Sequence, residues 1–144
     1  MGPLMKAFAV KTMIRATPER IWNLLTDAAG YTRWNNTVDK VTGKIAPGER
    51  VTVHTKINPG RAFPVKVTEF EAPRKMVWTG GMPLGLFKGA RRFTLTPRQN
   101  GDVEFSMREE YTGLLAPLIG RSIPDLQPAF DEFASDLKQA AEGS

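Results

Sequence analysis

A two-residue apolar periodicity that recurs along most of the chain constrains the fold more than any other feature. In residues 7–15, Phe8, Val10 and Ile14 fall on one face, which is typical of a half-buried β-strand. Six further strands are predicted at 38–45, 50–57, 62–71, 75–80, 87–96 and 102–112. Short turns rich in proline, glycine and asparagine separate them, so we expect an antiparallel meander.

Two helical regions frame these strands. Thr17, Pro18 and Glu19 form a helix start, with a capping hydroxyl, a proline in the first turn and an acidic residue at the positive helix end. This helix is expected to end near 29–30, before a helical turn at 31–34. At the other end of the chain, one apolar stripe predicts a long helix over residues 125–142, formed by Leu126, Phe130, Phe133, Leu137 and Ala140.

The long helix is the only predicted element able to cover the sheet. If Asp125 is its N-cap, Pro128 falls in the first turn and costs little. If the helix begins near Leu115, Pro124 and Pro128 are both internal and should kink it. We favour some helical structure before Pro124 and a bend there. A curved sheet around one helix leaves room for an internal cavity that could bind a small ligand. Aromatic and methionine residues at strand or helix spacing are also typical of an ordinary core. The candidate ligand-binding residues are Trp34, Val53, Val65, Trp78, Phe87, Arg91, Phe93, Phe105, Met107, Glu109, Tyr111, Phe130 and Phe133.

Two opposite charges are predicted on the inner face. Strand parity places Arg91 with Phe93, and Glu109 with Tyr111; the turn at Asn100-Gly101 sets Arg91 opposite Glu109. An ion pair is expensive in a dry core, so it favours a wet or polar-ligand site. The alternative is that a β-bulge near Gly89 or Gly113 turns the two side chains outward. Parity also directs Val51, Val53, Thr55 and Ile57 inward, and His54 outward.

Composition excludes several kinds of site. The chain has no cysteine and one histidine, so thiolate chemistry is excluded and a histidine-based metal site or catalytic triad is improbable. We expect no cofactor and no metal. The net charge of +5 permits anionic partners, but basic residues come at most in pairs and the aromatic residues point inward, which does not indicate nucleic-acid binding.

The 144 residues suffice for one domain, which we expect to span residues 5–144. Residues 1–4 are expected to be an expression remnant or disordered. No secretory signal or apolar run of membrane-spanning length is present, which predicts a cytoplasmic protein without membrane insertion, either a monomer or a homodimer.

The segment 80–86, Gly-Gly-Met-Pro-Leu-Gly-Leu, is glycine-rich and apolar. A phosphate-binding loop precedes a helix and usually carries a lysine, whereas a strand is predicted to follow here. A lip or lid over a pocket, or a wide hairpin, fits the segment better.

The order of these signals resembles the START-like (SRPBCC) superfamily, the polyketide cyclase/dehydrase and lipid-transport group. The resemblance rests on residues 14–22 as the strand-to-helix start, on 31–35 (Tyr-Thr-Arg-Trp-Asn), on 69–78 ending in Trp78, on 89–97 before Asn100-Gly101, and on the closing helix. It implies an α+β helix-grip fold, about seven antiparallel strands curved around the long helix and a hydrophobic cavity. The iron-binding oxygenase branch is excluded because it needs more histidines.

Three function classes remain open at this stage. The first is a binder of a small hydrophobic molecule, such as a lipid or polyketide, with an anionic or carbonyl group near Arg91. The second is an aromatase/cyclase or dehydratase in which Glu109 is the base and Arg91 and Tyr111 stabilise an enolate. The third is a protein adaptor resembling chaperone activators, which predicts a small cavity and an exposed apolar patch near 82–86 or 114–119.

Overall fold

Residues 6–143 are described by a computed structural model. Seven strands form one antiparallel sheet in the order β1-β7-β6-β5-β4-β3-β2. The predicted α+β helix-grip fold is confirmed. The elements in chain order are β1 (Lys6–Ile14), α1 (Pro18–Thr26), α2 (Tyr31–Trp34), β2 (Val38–Gly43), β3 (Arg50–Thr55), β4 (Ala62–Glu71), β5 (Lys75–Met82), β6 (Phe87–Pro97), β7 (Val103–Thr112), α3 (Ala116–Ile119) and α4 (Gln127–Glu142).

The first connection follows the capping pattern in the sequence. The Thr17 hydroxyl accepts a hydrogen bond from the Arg20 amide at 3.2 Å, and Pro18 occupies the first turn of α1. Such a cap satisfies an amide that has no partner within the helix. Through α1 and α2 the chain passes from β1, at one edge of the sheet, to β2, at the opposite edge.

Helix α4 closes the sheet and carries the predicted stripe. Phe130, Phe133 and Leu137 are buried together with the inner faces of the strands. The helix begins at Gln127, two residues later than predicted, with Leu126 as its N-cap. Asp125 instead accepts a hydrogen bond from the Gln127 amide at 3.1 Å through its Oδ1.

Helical structure does precede Pro124, as predicted. Helix α3 and a 3₁₀ turn at Gly120–Ser122 lie between β7 and α4. Pro128 falls in the first turn of α4, where a missing amide hydrogen costs little.

Two strand ends differ from the predictions. Strand β3 stops at Thr55, and Ile57, predicted to point inward, is 43% exposed. The prediction was wrong because the chain bends out of the sheet ahead of the Asn58-Pro59-Gly60 turn. Strand β5 runs on through Gly80 and Gly81 to Met82, which pairs with Phe87, so residues 83–86 form a short hairpin loop rather than a wide one.

No helix within residues 6–143 is both long enough and apolar enough to cross a bilayer. The expected remnant at residues 1–4, as well as Met5 and Ser144, lies outside the described residues.

Candidate functional site

Arg91 and Glu109 are direct cross-strand partners on β6 and β7. The turn that positions them is formed by Asn100 and Gly101, where Gly101 has a φ of 88°, a left-handed conformation that glycine adopts without strain. Because side chains alternate along a strand, Arg91 shares the inner face with Phe93, and Glu109 shares it with Met107. The predicted facing pair is therefore present.

The pair is closely bonded and mostly buried. Arg91 Nε donates to Glu109 Oε1 at 2.6 Å, and the side chains are 24% and 14% exposed. The Tyr111 hydroxyl donates to the other carboxylate oxygen, Oε2. Glu109 thus accepts one hydrogen bond on each oxygen, which offsets much of the cost of removing its charge from water.

The Arg91 guanidinium has N–H donors that are not used within the described chain. Its Nε is bonded to Glu109, but Nη1 and Nη2 make no hydrogen bond to any of residues 6–143. A guanidinium can present parallel N–H groups to a carboxylate or phosphate. The free edge of Arg91 is therefore able to receive an acceptor group from outside the chain.

Aromatic rings form the walls around this polar group. The ring of Phe130, from the first turn of α4, lies 4.8 Å from the Arg91 guanidinium carbon. Phe8 contacts Phe130 with ring centroids 5.9 Å apart, and Phe87 stacks on Tyr111 at 5.8 Å. An acceptor bound at Arg91 would have apolar surface on either side of it.

Burial raises the pKa of the Tyr111 phenol well above its ordinary value, and the adjacent negative charge of Glu109 raises this pKa further. Ionisation would place a second anion beside the carboxylate in a region with little water. Tyr111 is therefore a hydrogen-bond donor, and not a base, at neutral pH.

The neighbouring residues in sequence make a contrasting pair of contacts. Arg92 contacts Glu69 at 3.4 Å and Arg108 contacts Glu110 at 2.7 Å, all with side chains about half exposed. Arg92 follows Arg91 on β6, and Arg108 and Glu110 flank Glu109 on β7, so all three side chains lie on the outer face of the sheet. This alternation supplies matched exposed controls for the inner pair.

The internal cavity predicted from the sequence is not found among residues 6–143. Aromatic side chains fill the space between sheet and α4: the Trp78 and Phe93 centroids lie 4.8 Å apart, and Phe105 stacks on Phe133 at 6.1 Å. Phe93, Phe105, Met107 and Phe130 are fully buried. Periodicity identifies the inward residues but not how completely their side chains fill the space between the layers.

Two concavities on the described residues are open and lie elsewhere. One is lined by Arg20, Asn23, Leu24 and Asp27 on α1. The other is lined by Met13 and residues 97–100 at the β6–β7 turn. Neither is lined by a predicted ligand-binding residue.

The predicted site residues thus separate into groups. Phe87, Arg91, Glu109, Tyr111 and Phe130 lie together where β6 and β7 meet the start of α4. Trp78 is the cross-strand neighbour of Arg91 on β5. The remainder belong to the core or pack against it: Trp34, Val53, Val65, Phe93, Phe105, Met107 and Phe133.

Two residues of interest were missed. Phe8 pairs in register with Glu109 and contacts both Phe130 and Tyr111; its inward parity was the available signal. Asp136 is buried on α4 and accepts the Asn36 amide at 2.8 Å. No local pattern connects these two positions 100 residues apart.

Comparison with known proteins identifies the family. A family model described as polyketide cyclase / dehydrase and lipid transport matches residues 5–142. The chain belongs to this family. The resemblance to the START-like superfamily is therefore confirmed, and the family suggests a role in hydrophobic-ligand binding or polyketide cyclisation.

Solved structures share the fold at low sequence identity. The Zhui aromatase/cyclase from Streptomyces sp. R1128 is 11% identical with a TM-score of 0.72, covering 95% of this chain and 93% of that one. The Aha1 dimer from Colwellia psychrerythraea is 19% identical with a TM-score of 0.72 (96% and 98%). A START superfamily protein from Mycobacterium smegmatis is 13% identical with a TM-score of 0.68 (94% and 97%). No curated protein matches the chain.

Proposed function

We propose that this protein binds a small apolar molecule whose carboxylate or carbonyl group pairs with Arg91. The observation that carries the proposal is the mostly buried guanidinium, held through Nε by Glu109 and free at both Nη atoms of any partner among residues 6–143. A charged donor in a partly desolvated place binds an acceptor more strongly than an exposed one does.

The surroundings select for an apolar body. Phe8, Phe87 and Phe130 border the polar group, and binding sites of this composition bury most of a small ligand. Membership of a lipid-transport and cyclase family supports the same ligand class.

Because side chains fill the interior, a ligand can enter it only if part of the chain moves. The segment 113–126, between β7 and α4, is the part of the fold beside the site that is built from short helical turns instead of a long element. Displacement of this segment together with the Phe130 ring would open a path from Arg91 towards the aromatic core. A ligand would then occupy space that these side chains fill in its absence.

The test is a binding titration with dodecanoate and, as an uncharged comparison, dodecanol. We expect the Arg91→Gln variant to bind dodecanoate at least about tenfold more weakly than the unmodified protein, because a charge-assisted hydrogen bond contributes roughly 1.5–3 kcal/mol. Dodecanol binding should change less. The matched control is Arg92→Gln, one residue away on the outer face.

Equal dodecanoate affinity in the Arg91→Gln variant and the unmodified protein would contradict the proposal. An equal loss in the Arg91→Gln and Arg92→Gln variants would do the same, since it would reflect net charge alone. An Arg91→Lys variant retains the charge but loses the planar fork, and it should bind with intermediate affinity.

A second candidate function is an aromatase/cyclase-like or dehydratase-like enzyme. The hydrogen-bonded series Tyr111–Glu109–Arg91 favours it. Glu109 would take a proton from the carbon between two carbonyls of a β-keto chain, and the guanidinium and phenol would stabilise the resulting enolate.

Turnover of a β-keto thioester separates this enzyme from a binder. Glu109→Gln should abolish turnover and leave substrate binding intact, whereas Glu110→Gln, the outward-facing neighbour, should keep both. The enzyme assignment fails if Glu109→Gln turns over at the unmodified rate.

The third class, a protein adaptor, gains support from two observations. The interior is filled, and an apolar patch is exposed at Met82 and Leu84 and at Leu114 and Leu118, in the two regions that the sequence analysis indicates. An adaptor would use this patch to bind a protein. Association with a protein through these side chains, without binding to lipid, is the result that an adaptor predicts.

A further inference from the structure

Four large apolar side chains that make up the exposed patch are not covered by the fold. Leu84 is 91% exposed, Leu114 72%, Leu118 68% and Met82 45%. We call them the leucine ridge. Single exposed apolar residues are ordinary, but a cluster of this kind marks an interaction surface.

Backbone hydrogen bonds join the two halves of the ridge. The Leu114 amide donates to the Gly85 carbonyl at 3.1 Å, and the Leu115 amide donates to the Leu86 carbonyl at 2.7 Å. Gly113 permits this approach: it has a φ of 121°, and a Cβ there would lie 2.7 Å from the Leu86 carbonyl oxygen. The β5–β6 hairpin and the segment after β7 therefore form one surface.

Leu84 lies at the tip of the hairpin in a left-handed conformation, with a φ of 63°. This region is unfavourable for a residue with a branched side chain and is usually occupied by glycine or asparagine. Burial of the Leu84 side chain does not offset this conformational cost, because the side chain is exposed. Its conformation instead directs an apolar side chain outward.

The two stretches of chain that form the ridge carry only basic charges. No acidic residue occurs in 72–101 or in 111–124, the two stretches from which the ridge is built. Lys88 and Arg121 are exposed beside it. The next acidic residue, Asp125, has a carboxylate oxygen that accepts the Gln127 amide.

We propose that the leucine ridge docks this protein on an anionic lipid surface. The leucines would enter the boundary between headgroups and acyl chains, and Lys88 and Arg121 would contact the anionic headgroups. Apolar tips flanked by cations are the combination that peripheral membrane binding uses. The contact is peripheral and needs no membrane-spanning element.

The composition of the ridge favours a lipid over a protein partner. Protein interfaces concentrate their binding energy in tryptophan, tyrosine and arginine, and leucine is under-represented among such positions. No aromatic residue belongs to the ridge. Its members lie on the β5–β6 hairpin and on the segment that follows β7, which backbone hydrogen bonds join, a shape suited to penetrating a soft surface.

The ridge also adjoins the candidate site. Phe87 follows the hairpin loop directly, Gly113 follows Tyr111 by two residues, and the rings of Phe87 and Tyr111 stack. Docking would bring Arg91 close to a bilayer in which an apolar acid dissolves. This consequence rests on the proposed function, whereas the docking itself does not.

Co-sedimentation with vesicles tests the proposal. The unmodified protein should bind vesicles of phosphatidylcholine and phosphatidylglycerol, bind pure phosphatidylcholine vesicles far less, and dissociate as the salt concentration rises. A double variant, Leu84→Ser with Leu118→Ser, should bind at least about tenfold more weakly. Lys88→Gln combined with Arg121→Gln should weaken binding by a similar factor.

Matched controls lie at the opposite end of the sheet from the ridge. Met13→Ser removes an exposed apolar side chain beside the β6–β7 turn, and Arg74→Gln removes an exposed cation in the β4–β5 turn; both should leave vesicle binding unchanged. Dodecanoate affinity in the single Leu84→Ser variant, whose change lies outside segment 113–126, should equal that of the unmodified protein, so the docking surface and the Arg91 site can fail separately.

Three outcomes would overturn the proposal. One is no binding to phosphatidylglycerol vesicles at low salt. Another is binding that the ridge variants and the control variants weaken equally. The third is association of the protein with itself or with another protein through the ridge residues, without vesicle binding.

Discussion

At the residue scale, the environment of a side chain changes completely over one position. Arg91 and Glu109 face inward among aromatic rings, while Arg92 and Glu110 make ion pairs on the outer face. Exposed pairs of the outer kind contribute about 0–1 kcal/mol to stability. The inner pair is costly to desolvate. We interpret that cost as the result of keeping Arg91 N–H donors available to a ligand.

The two tyrosines of the chain, Tyr31 and Tyr111, provide a pH prediction. Burial is the main cause that raises both phenol pKa values in the fold, whereas in the unfolded chain these values lie near 10. The contribution of this pKa difference to the free energy of unfolding is fully present below about pH 10. It is lost as pH rises above about 10, because the unfolded chain releases phenol protons that the native fold retains.

Absorbance at 295 nm should therefore show little tyrosinate in the native protein at about pH 10.5, where the urea-unfolded protein is more than half ionised. Urea unfolding at increasing pH should give a falling free energy of unfolding, and Tyr111→Phe should reduce the slope. Two tyrosines that titrate near pH 10 in the native protein would contradict the burial argument.

At the scale of elements, the sequence predicts those that have a strong period or a clear cap. All seven strands, both early helical segments and the closing helix are found, with ends displaced by a few residues. Arg91 and Glu109 could be paired in advance because strand parity and one turn fix their register. The filled interior and the contact between Asp136 and Asn36 could not, because both depend on packing between distant elements.

The C-terminal end of α4 is fastened by one arginine. Arg20 Nε donates to the Ala141 carbonyl at 2.6 Å, and Nη2 donates to the carbonyls of Ala140 and Gly143 at 3.1 and 2.6 Å. The last carbonyls of a helix have no partner within it. These contacts tie α4 to α1, and with it the Phe130 ring above Arg91.

Arg20→Ala should lower the free energy of unfolding by about 1–2 kcal/mol, as measured by urea denaturation. The control is Arg33→Ala, which removes only an exposed ion pair with Asp27 and should cost less than about 0.5–1 kcal/mol. Equal losses in the two variants would show that Arg20 does not anchor the helix.

The segment between β7 and α4 is the element that ligand binding should affect. Hydrogen exchange of the amides in residues 113–125 should be faster in the free protein than with dodecanoate bound, because the free segment opens to admit ligand. The amides of β4 serve as the internal reference and should not change. Equal protection of 113–125 in the two states would reject this gate.

At the scale of the whole molecule, the fold alone leaves the function open. Its structural neighbours include an aromatase/cyclase and the Aha1 dimer, and one fold hosts many functions. Two features of this chain lie along β6 and β7 and the segments that adjoin them: an inward arginine with free donors and an acid-free ridge of exposed leucines. If both proposals hold, the protein collects or delivers an apolar acid at a lipid surface.

Native mass spectrometry after gentle purification and incubation with dodecanoate tests the central claim most directly. We expect the unmodified protein and the Arg92→Gln variant to retain one dodecanoate, and the Arg91→Gln variant to retain none under the same conditions. A ligand-free unmodified protein, or an Arg91→Gln variant that retains dodecanoate equally well, would contradict the account.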